Sequence, residues 1–123
     1  MSKAVLAYVN KLLTENGINY EFGEWKSELV YPYWVGEYNE SPPNEEESSM
    51  EATFFLNGWT NKTWSELEND KEKIEKLFTF TTSVLDDGSA VDVSYAGCLI
   101  IPTGDAKLKR MQINLSIKEW RVI

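Results

Sequence analysis

Residues 107–121 read KLKRMQINLSIKEWR, and this stretch decides the fold. Met111, Ile113, Leu115 and Ile117 occupy every second position, with Gln112, Asn114, Ser116 and Lys118 between them. That is the two-residue period of a strand with one dry and one wet face. Such a strand belongs to a sheet covered on one side. At Lys118-Glu119 the period slips, because Trp120 and Val122 carry the apolar set onto the other parity, and a bulge or bend is expected there.

Working outward, residues 50–59 (MEATFFLNGW) put Met50, Ala52, Phe54 and Leu56 on one side and Glu51, Thr53 and Asn57 on the other, a second half-wet strand. Residues 28–38 (ELVYPYWVGEY) read as a strand with bulk on both faces, Leu29, Tyr31, Tyr33 and Val35 against Val30, Trp34 and Tyr38. One layer of helices cannot cover both. Residues 19–25 (NYEFGEW) alternate Tyr20 and Phe22 with acids, as a short strand would. Asp86-Asp87-Gly88 marks a turn between strand material at 79–85 and a longer run from Ala90 to Ile101, and Pro102-Thr103-Gly104-Asp105 marks the next.

Two segments carry helical spacing. Ser2 can cap a helix on which Val5, Leu6, Val9, Leu12 and Leu13 recur along one stripe, and Gly17 supplies its left-handed stop. Thr63 and Glu66 have the spacing of a capping box for a second helix running to about Phe78. Its apolar stripe is Trp64, Leu67, Ile74, Leu77 and Phe78, with Asp70 counted among the charged residues of the wet side. This order predicts an α+β fold, a single domain over 1–123, in which two helices pack on one face of a largely antiparallel or mixed sheet.

Between the two aromatic strands lies an arm at about 39–49, NESPPNEEESS. Pro42 and Pro43 deny it ladder hydrogen bonds, and Glu40, Glu45, Glu46 and Glu47 make it acidic. Charge is uneven elsewhere too. Residues 1–60 hold 3 basic and 10 acidic side chains, net −7, whereas residues 61–123 hold 9 and 10, net −1. Within 107–121, Lys107, Lys109, Arg110, Lys118 and Arg121 oppose Glu119 alone, net +4.

Composition excludes several function classes. The chain has no histidine, which removes the usual neutral-pH acid–base group, the commonest metal ligand and the base of a Ser–His or Cys–His pair. Cys98 is the single cysteine, so no internal disulfide or thiolate cluster is expected, and its place in AGCLIIP reads as a small buried hydrophobe. The carboxylates accompany no Gly-rich phosphate motif. The expectation is therefore a protein without catalysis, cofactor or bound metal. A net charge of −8 argues against tracking nucleic-acid phosphates. The apolar run in MSKAVLAYVNKLL is broken at Asn10 and Lys11 and is too short for a membrane span, so a cytosolic protein is expected.

The helix ending at Gly17, the YPYWVGEY strand before an acidic extension, the helix at 63–78 and the closing strand LKRMQINLSIKEWRV together resemble the tail-terminator and tail-completion (head-to-tail joining) proteins of long-tailed bacteriophages. The resemblance covers most of the chain. It implies a structural subunit, without catalytic residues, that forms a ring, a hexamer in such families, on the end of the tail tube and meets the head connector. It also implies residence in the bacterial cytoplasm during assembly and in the virion tail afterwards. A ring uses a heterologous contact, one patch meeting a different one, and an acidic half facing a basic strand is such a pair. The residues expected at that contact are Trp34, Tyr38, Lys107, Lys109 and Arg110, the three basic ones meeting acidic residues of the first half of a neighbouring subunit. The alternative reading is a small acidic binding protein, an immunity-type inhibitor masking a basic partner, for which 5 Trp and 6 Tyr would serve as anchors.

Overall fold

The computed structural model describes residues 1–42, 49–79 and 81–121. Its elements run α1 (Lys3–Glu15), β1 (Tyr20–Phe22), β2 (Tyr33–Glu40), β3 (Met50–Thr60), α2 (Trp64–Leu77), β4 (Thr81–Val84), β5 (Ala90–Ile101) and β6 (Lys109–Trp120). The strands form one sheet in the order β1-β2-β3-β6-β5-β4. Among the described residues β1 and β2 pair in parallel, and the other strand pairs are antiparallel. β6 therefore lies at the centre, as its clean alternation requires.

The dry positions of β6, Met111, Ile113, Leu115 and Ile117, align with Gly58, Leu56, Phe54 and Ala52 of β3. All of them turn toward the helices. Val5, Val9 and Leu13 of α1 and Leu67 and Ile74 of α2 join the same buried cluster, so both helices cover one face of the sheet. Full burial of each such side chain contributes about 1.5–3 kcal/mol, and the cluster is the main source of stability.

Local chemistry sets the ends of α1 as the sequence predicts. Ser2 Oγ accepts the Val5 N–H at 3.3 Å. At the other end Gly17 has φ 78°, and the Gly17 and Ile18 N–H groups donate back to Thr14 and Leu13 at 3.2 and 3.1 Å. This pair of bonds is a Schellman motif, and it tucks Ile18 into the core.

Four expectations are corrected. The aromatic strand begins at Tyr33 instead of residue 28, after a cis Tyr31-Pro32 bond, because Pro32 has no N–H to give a ladder. Thr63 is the N-cap of α2, but its side chain makes no capping bond. Glu66 instead accepts the Thr60 hydroxyl at 3.2 Å. Asp70 is not on the wet side of α2: it is buried and accepts the Trp34 indole N–H at 2.9 Å. Finally, β6 does not slip at Lys118-Glu119. Its register with β3 continues through Met50↔Glu119, and among the described residues a register shift lies instead in β5, between Tyr95 and Gly97.

Glu119 keeps a core-facing position because it has partners there. It is 1% exposed, and its Oε1 accepts the Ser2 N–H and an Arg121 N–H, each at 3.0 Å. A carboxylate thus sits at the positive end of the α1 dipole. Burial opposes its ionisation, but the bonds from Arg121 and Ser2 prevail and hold its pKa below the ordinary glutamate value. Among the described residues no helix is long and apolar enough to cross a membrane.

Candidate interaction surface

The face of the sheet turned away from the helices is built by the opposite parity. Its first row runs Tyr33, Trp59, Arg110 and Ile101 across β2, β3, β6 and β5. Tyr33 and Trp59 stack at 5.2 Å, and the Arg110 guanidinium lies 5.1 Å from the Trp59 ring. The segment joining β1 to β2 extends this row. Trp25 packs on Tyr33 at 5.1 Å and Tyr31 does so at 5.7 Å. Burial first, and the neighbouring Tyr31 second, push the Tyr33 hydroxyl above its ordinary pKa. Such aromatic pairs contribute about 0.5–1.5 kcal/mol each beyond area burial.

Beneath the stack the face turns polar. Asn57 is 4% exposed, and its Oδ1 accepts from Arg110 at 3.0 Å and from Gln112 at 3.2 Å. Its amide reaches Glu37 Oε1 at 3.4 Å. Among the described residues, the buried Asn114 Oδ1 and Arg110 Nε have no hydrogen-bond partner. Farther along, Lys118 approaches Glu51 at 4.0 Å and lies over Trp120.

The structure separates the residues expected to form one contact. Trp34 is 0% exposed, so it is not a surface anchor. It is a core residue, and Gly58 makes room for it: a Cβ on Gly58 would come within 2.6 Å of the Trp34 ring. Tyr38 is half-buried and touches the exposed ring of Phe22 at 6.1 Å. Lys107 is exposed in the turn before β6, while Lys109 and Arg110 are neighbours on β6 and so face opposite sides of the sheet. Arg110 is already engaged with Trp59 and Asn57. Of the acidic arm, residues 43–48, with Glu45, Glu46 and Glu47, lie outside the described residues. Glu40 belongs to β2 and takes part in a local ion network, 2.7 Å from the Met1 amino group and 3.5 Å from Arg121.

What the sequence reading did not single out are two unlike apolar patches at the two sides of the sheet. On the β1 side Phe22, Leu29 and Val30 are exposed among Glu21, Glu24 and Glu28. On the β5 side Leu99 and Ile100 are 46% and 58% exposed, next to the turn carrying Lys107 and the start of β6 at Lys109. Residues 20–30 carry three acids and Lys26, net −2; residues 102–110 carry Asp105 and three bases, net +2. The signal was present in AGCLII, an apolar run longer than a one-sided strand needs. Cys98 lies within it, half-buried, its thiol pKa raised by burial against the opposing pull of Lys71. Among the described residues no cluster of three or more Cys, Asp or Glu side chains is gathered as a metal site.

No protein-family model matches this chain, and no curated protein matches it.

Proposed function

We propose that the chain is a structural subunit of a long-tailed phage or prophage: a tail terminator or completion protein that assembles with copies of itself as a ring at the end of the tail tube and joins it to the head connector. The observation that supports this reading is the pair of unlike patches, apolar and acidic on the β1 side, apolar and basic beyond β5. A closed ring repeats one heterologous contact, so it needs two different complementary patches on each subunit. Exposed apolar groups supply its affinity. Opposite charges set the orientation, since each surface ion pair contributes only about 0–1 kcal/mol and is screened by salt.

On this reading the protein performs no catalysis, waits in the host cytoplasm during assembly, and remains in the virion. Its negative charge of −8 would repel passing DNA phosphates from a ring lumen. The test is deletion of the gene from the phage or prophage that encodes it, followed by electron microscopy. The expected result is heads and tails that accumulate unjoined, with tubes of irregular length. Virions of normal yield and tail length would overturn the proposal.

A second reading, an acidic protein that masks a basic partner, is favoured by the stacked row Trp25, Tyr33 and Trp59 with Arg110 on the open face. Aromatic groups and arginine are the commonest interface anchors. It predicts a one-to-one complex and a chain that does not self-associate.

A further inference from the structure

The pairing of β4 with β5 ends at Thr81↔Val93. One step beyond, the Tyr95 N–H donates to the Phe78 carbonyl at 2.8 Å. From Gly97 to Ile101 β5 pairs with β6 on one side, with Ala96 bulged out just before, and no described strand lies along the other side of 96–101. These six residues, AGCLII, contain no charge and no proline. Proteins usually blunt an exposed edge with lysine, proline or a covering loop, since its free N–H and C=O groups invite another strand. Among the described residues of the strand, the bulge after Tyr95 is such a device, and it lies at the start of the apolar run; from α2, Lys71 comes close enough to Cys98 to act on its thiol.

Resting on the reading that the chain self-assembles, we infer that the open edge of β5 at 96–101 is the strand-pairing half of the subunit contact, and that it takes up the β1 side of a second copy. Main-chain bonds from the edge continue the sheet into the neighbour, as in other strand-addition complexes. Leu99 and Ile100, whose partners on β6 are Gln112 and Met111, project to opposite faces and would close over Phe22, Leu29 and Val30 of the neighbour. Charge selects this head-to-tail pairing over the symmetric one. Two β5 edges facing each other would bring two net-positive 102–110 turns together, whereas the β1 side offers Glu21, Glu24 and Glu28.

The experiment is sedimentation velocity across a wide range of protein concentration under reducing conditions, combined with hydrogen exchange read by mass spectrometry on the same samples. The wild type is expected to self-associate, with amides of 96–101 and of 20–30 becoming protected together as the oligomer forms. A Leu99→Lys, Ile100→Lys double variant, altered at two exposed positions, should keep its Tm and associate at least about tenfold more weakly. An oligomer in which 96–101 exchange as fast as in the monomer would overturn the edge contact while leaving self-assembly standing. A dimer that protects 96–101 but not 20–30 would overturn the head-to-tail orientation. A wild type that stays monomeric throughout, with 96–101 unprotected, would overturn the contact as well, and the gene-deletion phenotype then decides the tail assignment separately.

Discussion

Replacing Gly58 by alanine should be among the most damaging single-methyl changes in this protein. Gly58 pairs with Trp34 across β2 and β3, and an added Cβ would lie 2.6 Å from two ring carbons of Trp34 and 2.7 Å from a third. Carbon atoms prefer about 3.5–4.0 Å, so the ring must retreat by roughly 1 Å. It has nowhere to go. Trp34 is 0% exposed, and its indole N–H is held 2.9 Å from Asp70. Overpacking costs about 1–3 kcal/mol, and straining a buried hydrogen bond adds up to about 1–3 kcal/mol. The backbone contributes the opposite sign. Gly58 is not among the glycines with positive φ, so alanine there recovers about 0.5–1 kcal/mol of chain entropy. The net loss is about 2–3 kcal/mol, or roughly 6–15 °C in Tm for a chain of this length. Urea titration at constant m-value measures it. A double cycle with Trp34→Phe localises the cause: the smaller ring leaves room for the methyl, so the double variant should lose clearly less than the sum of the two singles. A Gly58→Ala protein within about 0.5 kcal/mol of wild type, or strict additivity with Trp34→Phe, would refute the packing argument.

Gly17→Ala should cost less, about 1–2 kcal/mol by urea titration, because nothing lies within 4 Å of a Cβ there and only the left-handed φ of 78° resists it. Asp70→Ala should destabilise by about 1–3 kcal/mol by leaving the Trp34 N–H unpaired, whereas Asp70→Asn keeps an acceptor and should be the more stable of the two at pH 7. Burial, partly offset by Trp34 and Lys73, raises the folded pKa of Asp70 above the ordinary 3.8. Its ionisation therefore opposes folding, fully above that raised value, and the penalty shrinks as the pH falls from it and is gone below the ordinary 3.8, a dependence that Asp70→Asn abolishes. Glu119 behaves oppositely. Its folded pKa lies below the ordinary 4.5, so its stabilisation is complete above about pH 4.5 and lost as the pH falls through the lower folded value; Glu119→Gln should flatten that acid limb of the Tm–pH curve.

Several features set by neighbours in sequence were legible in it, although the Thr63–Glu66 capping box was not, because Glu66 is taken by Thr60. The Ser2 cap, the Gly17 stop and the alternation of β6 each depend on a few adjacent residues, and each stands in the structure as read. Features set by distant partners were not. Asp70 looks like one more charge on a polar helix until Trp34, 36 residues away, supplies its partner. Glu119 looks like a break in the apolar period until Ser2, 117 residues away, is laid against it. The sequence alone points Trp34 toward a surface, because its strand carries bulk on both faces. The two glycines that make room on the dry face, Gly36 under Phe54 and Tyr20 and Gly58 under Trp34, do not register in a count of apolar residues. The open face follows the same lesson. Tyr33, Trp59 and Arg110 all sit at wet parity on three different strands, and only the register of the sheet brings them into one row.

The proposed place of this chain at the end of a phage tail is tested most directly by its position in the particle. Purified virions of the encoding phage, labelled with gold-conjugated antibody against the chain and imaged by electron microscopy, should carry label at the head-proximal end of the tail, in multiple copies per particle. Virions that contain none of the chain, or that carry it elsewhere than at the tail end, would contradict the account.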